Sequence, residues 1–187
     1  MTMRIQARNR QAFTLVEMLV VVAIIAMLVM ISMPVINRAL EIARISRARS
    51  EVNALESAFR AYYNTYHVWP SEIEGYDPHD HSGNEMNEEW VKLFSGENVN
   101  NMNRRRIAFM EFAEHSLDED GAFIDPWGSA YRFVLDHNYD NTISVDVPGI
   151  GAITLNRRVG VWSLGKPTGD DGEYDEEDAE PITSWGS

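Results

Sequence analysis

Residues 11–34 run QAFTLVEMLVVVAIIAMLVMISMP. The reading of this stretch decides the fold. From Met18 to Ile36 there is no charged residue. As a helix those positions span roughly 28 Å, close to the hydrocarbon thickness of a bilayer. A secretory signal peptide also has a basic start and an apolar middle, but its apolar region is shorter and ends at a small-residue cleavage site. Here the run is longer and leads into Pro34-Val35-Ile36-Asn37. A transmembrane helix is the expectation. Pro34 lacks a backbone donor, so a kink or loosening near residue 30 is expected with it. One residue disturbs the pattern: Glu17, a carboxylate at the head of an oily segment. Such a group carries a cost of a few kcal/mol in the membrane and points to function, unless it sits at headgroup depth.

Beyond Pro34 the periodicity changes. Ile45, Ala48, Val52, Leu55, Phe59, Tyr62 and Tyr66 recur at steps of three and four, one apolar stripe. Arg38, Glu41, Arg44, Arg47, Arg49, Glu51, Glu56 and Arg60 take the other faces. Residues 13–66 therefore predict one long helix, apolar all round in its first half and amphipathic in its second, where it docks on the rest of the chain. The expected class is α+β: a lollipop whose stick is half in the membrane and half packed on a small antiparallel sheet. Four segments follow: a basic leader (1–12), a transmembrane and assembly helix (13–36), an amphipathic helix (37–66), and an α/β head with an acidic C-terminal loop (67–187).

Charge is unevenly distributed in the 187 residues. The net charge is −13, yet residues 1–12 hold Arg4, Arg8 and Arg10 and no acid, while residues 67–187 hold 25 of the 29 acids. Arginines ahead of the apolar run place the N-terminus in the cytoplasm and the head across the membrane. So acidic a head repels phosphate, which argues against nucleic acid as a partner and leaves cations as candidates. There is no cysteine, hence no disulfide and no thiolate metal site.

Within the head, His67-Val68-Trp69-Pro70 ends the long helix and residues 71–89 read as a polar loop. In that loop His79 and His81 flank Asp80, with Asp77 nearby. This is a transition-metal pattern in principle, but a polar loop is the better reading without further ligands. Glu88 to Ser95 reads as a short helix ending at Gly96. Arg104-Arg105-Arg106 reads as a solvated face rather than an anion grip. Residues 131–135 and 143–147 alternate as strands, with 152–155 and 158–164 as further candidates, together an antiparallel meander. Asp136, Asn138 and Asp140 have the first three ligand spacings of an EF-hand. Val147 stands where the bidentate Glu belongs, so a hairpin turn is expected there.

Gln11-Ala12-Phe13-Thr14-Leu15-Val16-Glu17 resembles the cleavage and methylation signature of type IV prepilins and type II secretion pseudopilins. The resemblance implies a prepilin peptidase cut between Ala12 and Phe13, N-methylation of Phe13, and Glu17 as a filament-assembly residue that neutralises the Phe13 ammonium of a neighbouring copy. It also implies the helix-breaking proline where Pro34 falls. Ala12 stands where the family usually has Gly. Asp125-Pro126-Trp127-Gly128-Ser129-Ala130-Tyr131, Val161-Trp162-Ser163-Leu164-Gly165 and Ile182-Thr183-Ser184-Trp185 resemble three segments of major secretion pseudopilins. There the loop after Ser-Leu-Gly binds calcium. Carried over, the candidates are the Leu164 carbonyl with Asp170 and Asp171, and Asp175 or Asp178 in place of a family aspartate where Glu180-Pro181 stands. The competing reading of that loop is an acidic disordered tail.

The expected function is a structural, non-enzymatic subunit of a type II secretion or type IV pilus-like filament in the bacterial inner membrane, with a periplasmic head. Its implied partners are further copies and other pseudopilins, the prepilin peptidase, and an assembly platform protein with a cytoplasmic ATPase. The alternative is a membrane-anchored periplasmic enzyme or binding protein that uses 13–36 only as a signal anchor. No Gly-rich phosphate loop or nucleophile elbow supports an enzyme.

Overall fold

The computed structural model describes residues 13–168 and 179–186. It has two compact units, one up to Ile42 and one from Ala43 onward. A single helix, α1, is assigned over Leu15–Tyr66 and contributes to both.

In the first unit every residue from Phe13 to Leu40 is exposed. The exposed side chains are almost all Val, Ile, Leu and Met, without a polar face. Such a helix finds no place in water and needs lipid or other helices around it. Among the described residues it is the one helix long and apolar enough to cross a membrane. The helix runs unbroken through Pro34. Pro34 has no N–H to offer the carbonyl one turn back. Just before it the Ser32 hydroxyl donates to the Leu28 carbonyl at 2.8 Å.

In the second unit the α1 stripe is buried as its spacing predicts: Ala48, Val52, Leu55, Phe59 and Tyr62 are all but inaccessible. Facing them is α2, Glu88–Phe94. It starts where the Asn87 side chain accepts from the Glu89 and Trp90 amides, an N-cap that satisfies otherwise orphaned donors. Trp90, Leu93 and Phe94 point inward, as the sequence predicts. The ring of Phe59 lies 4.8 Å from that of Phe94 and 4.6 Å from that of Phe133, all three fully buried. Each such side chain contributes about 1.5–3 kcal/mol of apolar burial.

Six strands among the described residues complete the unit: β1 Asn84–Glu85, β2 Arg132–Leu135, β3 Ile143–Val147, β4 Gly151–Leu155, β5 Val159–Ser163 and β6 Ile182–Thr183. Their pairing corrects the expected meander. One antiparallel sheet has the order β1-β2-β5-β6, and β3-β4 is a separate hairpin. Phe133 lies opposite Val161 and Leu135 opposite Val159. Both edges of β2 are occupied, by β1 and β5, so β3 has no place beside it. The hairpin instead packs on the sheet's far face, where Ile143, Val145 and Val147 meet Val134, Trp162 and Leu164. The near face, with Phe133, Leu135, Val159 and Val161, closes the core against α1 and α2. A sheet covered on both faces explains why all five residues of β5 are buried, whereas β3 alternates. The α+β class is the expected one: a long helix, apolar at its start, whose second half packs on a small antiparallel sheet.

Candidate functional site

The N-terminal signature forms a local structure. The Thr14 amide and the Thr14 hydroxyl both donate to one oxygen of Glu17, each at 2.8 Å. In return the Glu17 amide donates to Thr14 Oγ1 at 3.2 Å. This is a capping box: two helix-start donors are satisfied reciprocally by side chains three residues apart. The carboxylate in the oily segment thus has partners in its own chain. They are neutral, so the negative charge remains to be balanced. The Ser/Thr-x-x-Glu spacing before an apolar run is the sequence signal that announces this box, and the sequence reading passed over it. Phe13, next to the box, is exposed. Ala12 and the rest of the leader, 1–12, lie outside the described residues.

At the other end of the chain, the three segments singled out by resemblance come together. Asp125 is buried, and one of its oxygens accepts from the Trp127 and Ser129 amides at 2.9 and 3.0 Å. That closes the Asp-Pro-Trp-Gly turn. The other oxygen accepts from Ser163 Oγ at 2.6 Å, and Ser163 Oγ accepts from the Gly165 amide at 2.9 Å. Burial pushes the Asp125 carboxyl above its usual range, against the pull of these hydrogen bonds. The third segment, β6, pairs with β5 so that Trp162 lies opposite Thr183. Trp185 lies against the Trp162 ring with 6.0 Å between centroids, and the Arg157 guanidinium sits over Trp185.

Leu164 and Gly165 stand at the base of the acidic loop. Gly165 has φ +80°, and a Cβ there would come within 2.4 Å of the Glu180 carbonyl oxygen, so the two ends of the loop touch backbone to backbone. A calcium site would need six to eight hard oxygens. The described residues supply the candidate Leu164 carbonyl; Asp170, Asp171, Asp175 and Asp178 lie outside them.

Three other motifs resolve as structure. Asp136 is buried and its two oxygens accept from the Asp140 and Asn141 amides at 3.1 and 2.9 Å. It is a turn-forming residue, in a turn that leads from the sheet to the β3-β4 hairpin rather than joining two paired strands. Arg104 donates to the Asn101 carbonyl, and the Arg105 amide donates to Tyr66 Oη. In the 71–89 loop, Asp77 and Asp80 accept from the backbone amides two residues on, His79 and Ser82. Among the described residues no three His, Asp or Glu side chains converge as a ready-made metal cluster.

Residues 7–33 match the family described as the prokaryotic N-terminal methylation motif. The match covers the second half of the basic leader, the Thr14–Glu17 box and most of the apolar run. No curated protein and no solved structure matches the chain. The motif and the apolar helix behind it fit a membrane-anchored precursor of the type IV pilin-like kind, a class of structural subunits.

Proposed function

We propose that this chain is a pseudopilin: a structural subunit of a type II secretion or type IV pilus-like filament, assembled from the inner membrane after its leader is removed. The observation that carries the reading is the capping box of Thr14 and Glu17 at the head of an exposed apolar helix, within the methylation motif.

A prepilin peptidase cuts between Ala12 and Phe13, and the new amine of Phe13 is methylated. That amine is a cation on the residue just before the box. When subunits stack, Glu17 of one copy meets the Phe13 ammonium of the next. In low dielectric an uncompensated charge is heavily penalised, so the pair fixes axial register more than it adds adhesion. Adhesion comes from packing helices 13–36 together. The contacts are head-to-tail, and a head-to-tail contact that does not close generates a helical polymer. The head stays on the periplasmic side, and an assembly platform with its cytoplasmic ATPase drives growth. Calcium, held by the Leu164 carbonyl with Asp170 and Asp171 and by Asp175 or Asp178, ties down the segment that leads to β6. The work is mechanical, and no step is catalysed by this chain.

N-terminal mass analysis of the protein recovered from membranes tests this. Mature chains beginning at N-methyl-Phe13 are expected. Chains that begin past Asn37, or that all retain Met1, overturn the reading.

A further inference from the structure

We propose a transition-metal site on the head, formed by the imidazoles of His79 and His137 and completed by His81, taking a divalent ion of the zinc, nickel or copper class. The proposal goes beyond the filament reading and does not depend on it.

The fold brings together what the sequence keeps apart. His79 and His81 come from the loop before β1, and His137 from the turn after β2. All three line one surface hollow of about 180 Å³ between Pro78 and Ser144. The His79 and His137 ring centroids are 6.1 Å apart, edge to face. Two imidazoles on one tetrahedral ion, with metal–nitrogen bonds of about 2.0–2.1 Å, have ring centres roughly 5 Å apart. Both rings are exposed, so a small side-chain rotation closes that gap. His81 Nδ1 lies 3.0 Å from the Ser144 carbonyl oxygen. A carbonyl only accepts, so Nδ1 carries the proton and Nε2 keeps its lone pair. A hydrogen bond from the far ring nitrogen to a carbonyl is the usual orienting contact of a metal-bound histidine.

The backbones that carry these rings are already fixed. The His79 amide donates to Asp77 Oδ1 at 2.8 Å, and the His81 carbonyl accepts from the Asp146 amide at 2.7 Å. Beside His137, the Asp136 carboxylate gathers the Asp140 and Asn141 amides. The described residues lining the hollow include three imidazoles and no carboxylate, so nitrogen is its prevailing donor. A nitrogen-rich set favours zinc, nickel or copper over calcium or magnesium. The ligands do not converge before the ion arrives. The site is therefore one that the ion closes, clipping the 77–82 loop to the 136–141 turn.

The test is calorimetric titration of nickel or zinc chloride into the untagged full-length protein in detergent, with excess calcium present to mask acidic oxygen sites. One equivalent of metal is expected to bind. His79→Ala and His137→Ala should each weaken binding about tenfold or more, and His81→Ala by less. His115→Ala, on a separate exposed segment, should leave it unchanged. Melting of each variant without metal should match wild type, since all these rings are exposed. The absence of saturable binding, or binding that His79→Ala and His137→Ala leave unaltered, overturns the proposal.

Discussion

Ser163 Oγ donates to the buried Asp125 carboxylate at 2.6 Å. Through this bond the Asp-Pro-Trp-Gly turn is fastened to the end of β5, and Ser163 passes the connection on to the Gly165 amide. One carboxylate thus sets both the turn before β2 and the entrance to the acidic loop.

Replacing Asp125 by Ala withdraws the acceptor from the Ser163 hydroxyl and from the Trp127 and Ser129 amides. A loss of about 2–4 kcal/mol in unfolding free energy is expected, measured by denaturant titration. The pH dependence has a definite sign. Because burial raises the Asp125 carboxyl in the folded state, the folded protein holds that proton more readily than the unfolded chain. Its contribution is complete below the ordinary carboxylate range and declines as pH rises through the raised value. The stability of wild type relative to Asp125→Asn, whose amide does not titrate, should be greater near pH 4 than near pH 7.5. A difference independent of pH contradicts the assignment.

A second clip joins α1 to the sheet side of the head. Tyr131 Oη donates to Glu51 Oε2 at 2.6 Å, Arg47 pairs with the other Glu51 oxygen at 3.0 Å, and Arg47 also donates to Ser116 Oγ at 2.7 Å. Tyr131→Phe keeps the ring and removes one hydrogen bond to a charged group. Destabilisation of about 1–2 kcal/mol is expected by chemical denaturation, with Arg47 still holding Glu51. No measurable change would mean that the clip is not formed in solution.

Calcium should raise the melting temperature of the full-length protein in detergent, and a chelator should reverse the effect. The increment should follow the logarithm of free calcium over its dissociation constant, as for any ion that binds the folded chain alone. Asp170→Asn combined with Asp171→Asn should abolish it. A melting temperature indifferent to calcium and chelator removes the calcium reading and leaves β6 pairing as what holds the C-terminal segment.

Much of this is legible in the sequence alone. The Ile45–Tyr66 stripe, the 88–95 helix and the strands at 131–135 and 143–147 carry their own periods, and local period survives tertiary packing. Strand partnership does not. Alternation shows which face of a strand is buried but not which strand lies beside it, so the β3-β4 hairpin was expected in the sheet when it lies on top of it. The two-residue strands β1 and β6 are too short to register a pattern. His137 was invisible as a neighbour of His79 because only the β2 turn brings them together. The Thr14–Glu17 box is readable from its Thr-x-x-Glu spacing, and its neutral partner lies nearer to Glu17 than any cation in the sequence.

That box makes the central claim separable from helix capping. Glutamine at the third helical position can serve a capping box as glutamate does, but it carries no charge. Glu17→Gln therefore keeps the Thr14 contact and removes only the anion offered to a neighbour's Phe13 amine. Electron microscopy of filaments from cells expressing wild type or Glu17→Gln is the direct measurement. The account predicts few or disordered filaments from Glu17→Gln, with the variant present in membranes and its head folded. Filaments as abundant and as regular as those of wild type would show that Glu17 is a helix cap and nothing more.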